Sequence, residues 1–204
     1  MRRLGGFLHG FVTAVLLLAL AGSTSAAQGL TVKGDAQAWK EIEAAFIKFS
    51  KAKSYRAKMI MKDGGTTTME TVPPDRMRTI TTTGAETYEW ITVGNQVRVR
   101  QGNGPWTCVP SAGPAPIPNT NPQQMAGEVT AARGPAVVIE GVQTQSYSYT
   151  WKDAVSTSNL KLYVAVNNGL PKRIESLDNK GAVEMTINYY DYDVPITINL
   201  PACG

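Results

Sequence analysis

Apolar residues first recur along the chain at the spacing of an amphipathic helix. Between Ala36 and Lys53 they return at intervals of three and four positions, as Trp39, Ile42, Phe46 and Phe49. That spacing places them on one face of a helix. Asp35 precedes the segment and is a suitable N-cap. The pattern predicts one long helix over 36–53, whose apolar face packs against the rest of the protein.

After Ser54 apolar and polar residues alternate, which is typical of strands with one buried face. Turn residues separate the alternating segments, and Asn168-Gly169 is the strongest hairpin signal among them. Gly141 is interpreted as a bulge within a strand, and residues 196–200 are predicted to form the last strand. The spacing predicts about 10–12 short strands joined as successive antiparallel hairpins.

Two further segments interrupt this pattern. Residues 109–121 are rich in proline and small side chains and are predicted to be a loop. Residues 122–133 are predicted to form a short second helix, with Asn121 as its cap and with Met125 and Val129 facing inward.

These elements predict the α+β class. A large antiparallel sheet curls because its strands twist. The expected architecture is therefore a curved antiparallel half-barrel with helices covering its concave face. Side chains fill such a hollow, or it stays open for a ligand.

The N-terminus has the layout of a secretory signal peptide. Arg2 and Arg3 precede an apolar run of about 11 residues, followed by small residues up to Ala27. A membrane anchor is the alternative, but a spanning helix needs roughly 20 apolar residues. We therefore expect residues 1–27 to be removed and 28–204 to form one domain outside the cytoplasm. The sequence Leu20-Ala21-Gly22-Ser23 resembles a lipoprotein signal but has serine where the lipidated cysteine would stand, so no lipid anchor is expected.

Charge and cysteine content exclude several classes of protein. Loss of Arg2 and Arg3 lowers the formal net charge from +4 to about +2, and the basic residues are dispersed, so nucleic acid is not an expected partner. In an oxidising compartment Cys108 and Cys203 are expected to form a disulfide. A metal site is the alternative, but two thiols make a poor zinc ligand set without histidine.

Catalytic chemistry is not expected. The only histidine, His9, lies in the predicted signal peptide, so the remaining chain has no imidazole base and no histidine metal ligand. No phosphate-binding glycine loop or Gly-x-Ser-x-Gly motif is present. We expect no enzyme activity, no metal and no cofactor.

Several segments, in this order, resemble the LolA-like superfamily of lipoprotein and lipid carriers. They are residues 53–57, Pro74-Asp75-Arg76-Met77-Arg78, Gly104-Pro105-Trp106, 168–174, 190–196 and Leu200-Pro201. The turn at 168–171 and the chain ending are more similar to the mycobacterial lipid carriers than to the lipoprotein chaperones. The chaperones carry a cavity arginine where this chain has Pro73, so no lipoprotein-binding arginine is assigned.

The resemblance implies a periplasmic carrier with an acyl-chain cavity, helices as its lid, and a lipid or lipidated protein as cargo. We separately expect the protein to be a monomer. A membrane protein as donor or acceptor is a further expected partner. The alternative is a non-catalytic envelope interaction or stress-sensing module with the same fold and a filled cavity. The candidate cavity residues are Trp39, Ile42, Phe46, Phe49, Met59, Met61, Met69, Met77, Trp90 and Met125.

Each of these candidates also has a plain structural interpretation. Methionine adapts its shape to varied apolar ligands, but it equally fills irregular gaps in a core. The helix residues line a cavity or form an ordinary core stripe. Arg98 and Arg100 are interpreted as a charged outer surface that discourages edge pairing. Residues 189–193 are interpreted as the solvated end of a strand, because two carboxylates are too few for a calcium loop.

Overall fold

The computed structural model describes residues 29–110 and 126–204. The chain forms one helix and twelve strands in this part. They are β1 (Leu30–Gly34), α1 (Ala36–Phe49), β2 (Tyr55–Met61), β3 (Thr66–Val72), β4 (Arg76–Thr83), β5 (Glu86–Val93), β6 (Gln96–Gln101), β7 (Thr107–Val109), β8 (Gly127–Ile139), β9 (Val142–Lys152), β10 (Thr157–Ala165), β11 (Pro171–Leu177) and β12 (Val183–Tyr190).

The twelve strands form a single open sheet in the order β1-β8-β9-β10-β11-β12-β2-β3-β4-β5-β6-β7. All neighbouring strands are antiparallel except β1 and β8, which pair in parallel. The sequence pattern had not revealed β1. The predicted curved half-barrel is confirmed, with one helix on its concave face among the described residues. Residues 1–28 and Met125 lie outside the described residues, so the signal peptide and that candidate stay predictions.

Helix α1 begins as predicted and ends earlier. The Asp35 carboxylate accepts hydrogen bonds from the backbone N–H groups of Gln37 and Ala38, at 2.9 and 3.0 Å. This satisfies two of the free donors at the helix start. The helix ends at Phe49 rather than Lys53. Because it connects the edge strand β1 to the central strand β2, it must cross the sheet face between them.

The core lies between α1 and the sheet. The buried face of the helix packs with residues of β2, β8, β9, β10 and β12, and the cluster includes Ala57, Val129, Ala131, Tyr147, Tyr149, Leu162 and Tyr189. Ile42, Val129 and Leu162 are completely buried. The apolar face of the helix and the inward-facing side chains of the strands thus pack together in one apolar layer.

Two local predictions in this region were wrong. Residues 127–133 belong to strand β8, not to a helix, and Val129 and Ala131 are buried while Thr130 and Ala132 are exposed. Pairing with β9 and β1 supplies hydrogen bonds along the whole segment and overrides its helical signals. Gly141 is not a bulge but forms the β8–β9 turn with Glu140, where both have positive φ, and the irregular pairing lies between Arg133 and Ala136.

The predicted last strand is also absent, because residues 193–204 form no strand. This C-terminal segment crosses the face of the sheet opposite the helix, where guanidinium groups hold its carbonyl oxygens. Arg76 donates to Ile198 O at 3.2 Å and Arg98 to Pro201 O at 3.3 Å. The predicted disulfide between Cys108 and Cys203 is present and joins the segment to the edge strand β7.

Candidate functional site

Strand alternation divides the side chains of the sheet between two faces. One face is turned toward helix α1 and is called the helix side; the other is called the outer face. Cross-strand pairing carries the helix side from the core into the second half of the sheet, through the row Tyr189–Ala57–Met69–Thr79–Trp90–Val99. Neighbours in such a row lie roughly 4.5–5.5 Å apart. The core under the helix and the helix side of β3–β6 therefore form one continuous surface.

Helix α1 fills the first part of this surface, which we call the covered half (β1 and β8–β12). The four helix candidates Trp39, Ile42, Phe46 and Phe49 are each no more than 8% exposed. Phe49 packs against an aromatic group from the sheet and the chain end, namely Tyr55, Tyr189 and Tyr192. Tyr192 donates its hydroxyl to Pro171 O at 2.7 Å. The structure thus brings the helix candidates together in a packed layer.

A hydrogen bond from the sheet also fixes the helix. Tyr147 on β9 donates to the Glu41 carboxylate at 2.7 Å, and Arg133 lies 3.8 Å from the same carboxylate. Burial and this carboxylate raise the pKa of Tyr147 to about 12. The phenol is therefore a hydrogen-bond donor at neutral pH, and it ties the middle of the helix to the sheet.

The open half (β2–β7) carries the remaining described candidates. Alternation and register place Met59, Met61, Met69, Met77 and Trp90 together on the helix side of β2–β5. The four methionines are half-buried, and Trp90 is 36% exposed. Trp90 stacks on Tyr88 with ring centroids 5.8 Å apart. We call the helix side of β2–β6 the Met–Trp face.

Hydroxyl groups supply most of the polarity of the Met–Trp face. Thr67 pairs with Thr81 across β3 and β4, and their hydroxyl oxygens lie 3.0 Å apart. Thr79 stands between Met69 and Trp90 in the cross-strand row. One carboxylate stands at the rim, where Glu86 accepts a hydrogen bond from the Tyr88 hydroxyl at 2.9 Å. The surface is thus apolar with weakly polar, uncharged groups between the methionines.

The outer face of the same strands is highly charged. Glu89 on β5 is 5% exposed and accepts hydrogen bonds from Arg78 at 2.6 Å and from Arg100 at 2.7 Å. Burial alone would raise the pKa of Glu89, but the two guanidinium groups outweigh it and lower that pKa. Arg56 and Glu70 extend the network across β2 and β3. Arg98 and Arg100 do lie on the outer face, and both make intramolecular contacts there.

A separate open depression of about 380 Å³ does not belong to the Met–Trp face. Its lining includes Thr130, Ser148, Thr150 and Asn159. These residues alternate along their strands with the core residues Ala131, Tyr149 and Leu160, so their side chains point to the outer face. Ala131, Tyr149 and Leu160 also line the depression, and none of its lining residues belongs to β2–β6, so it is separate from the Met–Trp face.

Sequence reasoning missed the role of the chain end. Residues 189–193 were interpreted as solvated, but Tyr189 is 8% exposed, and Tyr192 packs in the aromatic group. Asp191 and Asp193 do face solvent, where Asp191 pairs with Arg56 at 2.9 Å. The aromatic residues within this segment were the available signal, because several clustered rings are favourable to bury.

Two negative findings apply to residues 29–110 and 126–204. No helix there is long and apolar enough to span a membrane. In the same residues no group of histidine, cysteine or acidic side chains is arranged to hold a metal ion.

Comparison with known proteins identifies the fold. No model of a known protein family matches the chain, and no curated protein matches it in sequence. The solved structure of the Mycobacterium tuberculosis lipoprotein LppX aligns with a TM-score of 0.64 and 14% identity, over 81% of this chain and 100% of LppX. LprF from Mycobacterium bovis aligns with a TM-score of 0.62 and 11% identity, over 83% of this chain and 99% of LprF.

A protein of the LolA superfamily, NE2245 from Nitrosomonas europaea, aligns at a TM-score of only 0.32 and 12% identity, over 80% of this chain and 94% of NE2245. At such identities a structural likeness establishes the fold. The chain therefore has the fold of LppX and LprF, so the predicted resemblance to mycobacterial proteins of this kind is confirmed at the level of the fold alone.

Proposed function

We propose that the protein is a non-catalytic periplasmic carrier that holds the acyl chains of a lipid or lipidated protein against the Met–Trp face. One observation carries the proposal. The apolar layer under helix α1 continues past the helix onto β3–β6, where half-buried methionines and the exposed Trp90 share one side of the sheet. A monomer with a membrane protein as donor or acceptor belongs to the same proposal.

The residue types on this face suit an apolar chain. Methionine side chains are flexible and polarizable, so they adapt to chains of different shape. Burial of a chain contributes roughly 0.8 kcal/mol per CH₂ group. A chain of ordinary lipid length therefore supplies useful affinity without any charge contact. The carrier role implied by the superfamily resemblance agrees with this chemistry.

Two adjacent residues of β2 allow a sharp test. Met61 and Ile60 are both apolar, but they point to opposite faces of the sheet. A Met61→Glu variant places a charge on the Met–Trp face and should weaken binding of an uncharged apolar dye, such as N-phenyl-1-naphthylamine, by about tenfold or more. Ile60→Glu adds the same charge to the outer face, where Ile60 is already 39% exposed. The Ile60→Glu variant should therefore bind the dye as the wild type does.

The measurement is a fluorescence titration of the purified domain, after a thermal melt has shown that both variants are folded. Equal loss of binding in both variants, or no stoichiometric binding by the wild type, would contradict the carrier proposal. Absence of binding by the wild type would instead favour the interaction module with a filled cavity.

A further inference from the structure

Charged groups on β2–β6 are segregated between the two faces of the sheet. The six basic side chains of these strands lie on the outer face, because those of β2 and β4 alternate with methionines and those of β6 pair with Ile91 and Glu89: Arg56, Lys58, Arg76, Arg78, Arg98 and Arg100. The helix side of the same strands carries methionine, threonine, valine, alanine and aromatic side chains, together with Gln101 and one acidic residue, Glu86. An anionic group that entered the Met–Trp face would find no cation on these strands.

The outer-face arginines are also engaged elsewhere. Arg78 and Arg100 bind Glu89, and Arg76 and Arg98 hold carbonyl oxygens of the C-terminal segment. In the covered half, Arg133 faces the helix side but is 3.8 Å from the Glu41 carboxylate. None of these guanidinium groups is therefore poised to meet a ligand on the Met–Trp face.

The one acidic side chain on the Met–Trp face further disfavours an anionic ligand there. Glu86 is exposed at the start of β5 and shares its side with Tyr88 and Trp90, and the Tyr88 hydroxyl donates to it. A carboxylate at the rim repels another anion. One hydroxyl of the Thr67–Thr81 pair donates to the other, so one donor of that pair remains, together with Thr79, of the kind that ester carbonyl and hydroxyl oxygens accept.

We propose that the Met–Trp face selects uncharged lipids that bear ester or hydroxyl groups, and that it excludes lipids which bring an anionic group onto it. This inference rests on the proposed carrier function and narrows its cargo. Burial of an ionised carboxylate without a partner costs much more free energy than burial of a neutral ester, because the carboxylate gives up a much stronger hydration. Selection therefore follows from the side chains that the alternation places on each face.

Methyl oleate and oleate test the proposal, because they share one chain and differ in charge. Each is used at pH 8 to displace N-phenyl-1-naphthylamine from the purified domain, below the concentration at which oleate forms micelles. We expect methyl oleate to displace the dye at a concentration about tenfold lower than oleate does, which corresponds to about 1.4 kcal/mol.

A Thr81→Lys variant provides the matching gain of function. It places an ammonium group on the Met–Trp face, so oleate should bind about tenfold more tightly, while methyl oleate should change by less than about threefold. Thr82→Lys is the control, because Thr82 is the next residue of β4 and points to the outer face. If Thr81→Lys does not fold, Thr79→Lys takes its place on the same face.

The outcomes separate the two proposals. Dye binding by the wild type with oleate equal to or tighter than methyl oleate would overturn the selection and leave the carrier function intact. A wild type that binds neither the dye nor either lipid would overturn the carrier function itself. A gain of oleate binding that is the same for Thr81→Lys and Thr82→Lys would overturn the assignment to the Met–Trp face.

Discussion

The two halves of the sheet are stabilised from opposite sides. In the covered half, helix α1 packs on the inner face, and Ile42, Val129 and Leu162 are completely buried. In the open half, the stabilising contacts lie on the outer face, where the C-terminal segment, the disulfide and the Arg78–Glu89–Arg100 network are found. Ile198 of the segment is 2% exposed, and Ile91 beneath that face is 6% exposed.

This difference has a functional consequence. A sheet that is braced on its outer face needs no packed layer on its inner face, so apolar residues there can stay half-buried and available to a ligand. The Met–Trp face has that property. The helix thus buries the inner face of the covered half. The chain end stabilises the open half from its outer face and leaves its inner face accessible.

Truncation of a core residue should distinguish the halves most strongly. Ile42→Ala removes a completely buried side chain in the covered half and should lower the free energy of unfolding by about 2–5 kcal/mol, because the cavity cannot fully collapse. Met69→Ala, on the Met–Trp face, should cost no more than about half as much, since Met69 is only partly buried. Urea denaturation measures both values. Equal losses would show that the open half is packed like the covered half.

Removal of the disulfide should loosen the open half in particular. The bridge links residues that are 95 positions apart, so the double variant Cys108→Ser, Cys203→Ser should lose about 2–5 kcal/mol of stability. Hydrogen exchange followed by mass spectrometry should show faster exchange in β6, β7 and residues 193–204, with β8–β11 much less affected. Uniform acceleration across the sheet would contradict the separate bracing of the two halves.

Neutralisation of Glu89 should have a smaller, pH-dependent effect. Glu89→Gln removes the charge that two guanidinium groups bind and should cost about 1–3 kcal/mol at pH 7. The pKa of Glu89 is lowered in the folded protein. Its contribution is therefore fully present above its unfolded pKa of about 4.3 and is lost as the pH falls through the lower folded value.

Urea midpoints between pH 3 and pH 7 provide the measurement for Glu89. The wild type should lose stability at the acidic end, and the Glu89→Gln variant should lose less over the same interval. A variant with the same stability as the wild type at pH 7 and the same slope in acid would show that the network does not brace the open half.

Local patterns in the sequence predicted much of this molecule. Helical spacing identified the buried face of α1, and alternation identified most of the strands, because each element buries one side of a regular backbone repeat. The hairpin at Asn168-Gly169 was predicted from its two turn residues, and the structure has Gly169 at φ 67° between β10 and β11. These signals depend on a few consecutive residues and need no knowledge of the rest of the chain.

The failures came where distant segments meet. Residues 127–133 became a strand because β1 and β9 flank them. Residues 196–200 became an irregular segment because Arg76 on β4 binds the carbonyl oxygen of Ile198 and Arg98 on β6 binds that of the adjoining Pro201. The sequence by itself determined which residues are apolar, which alternate and which two cysteines pair. Only the tertiary structure decided which half of the sheet the helix covers, since that depends on the order in which twelve strands pair. Pairing order depends on contacts between segments that are distant in sequence. It places the Met–Trp face on strands that the helix does not cover.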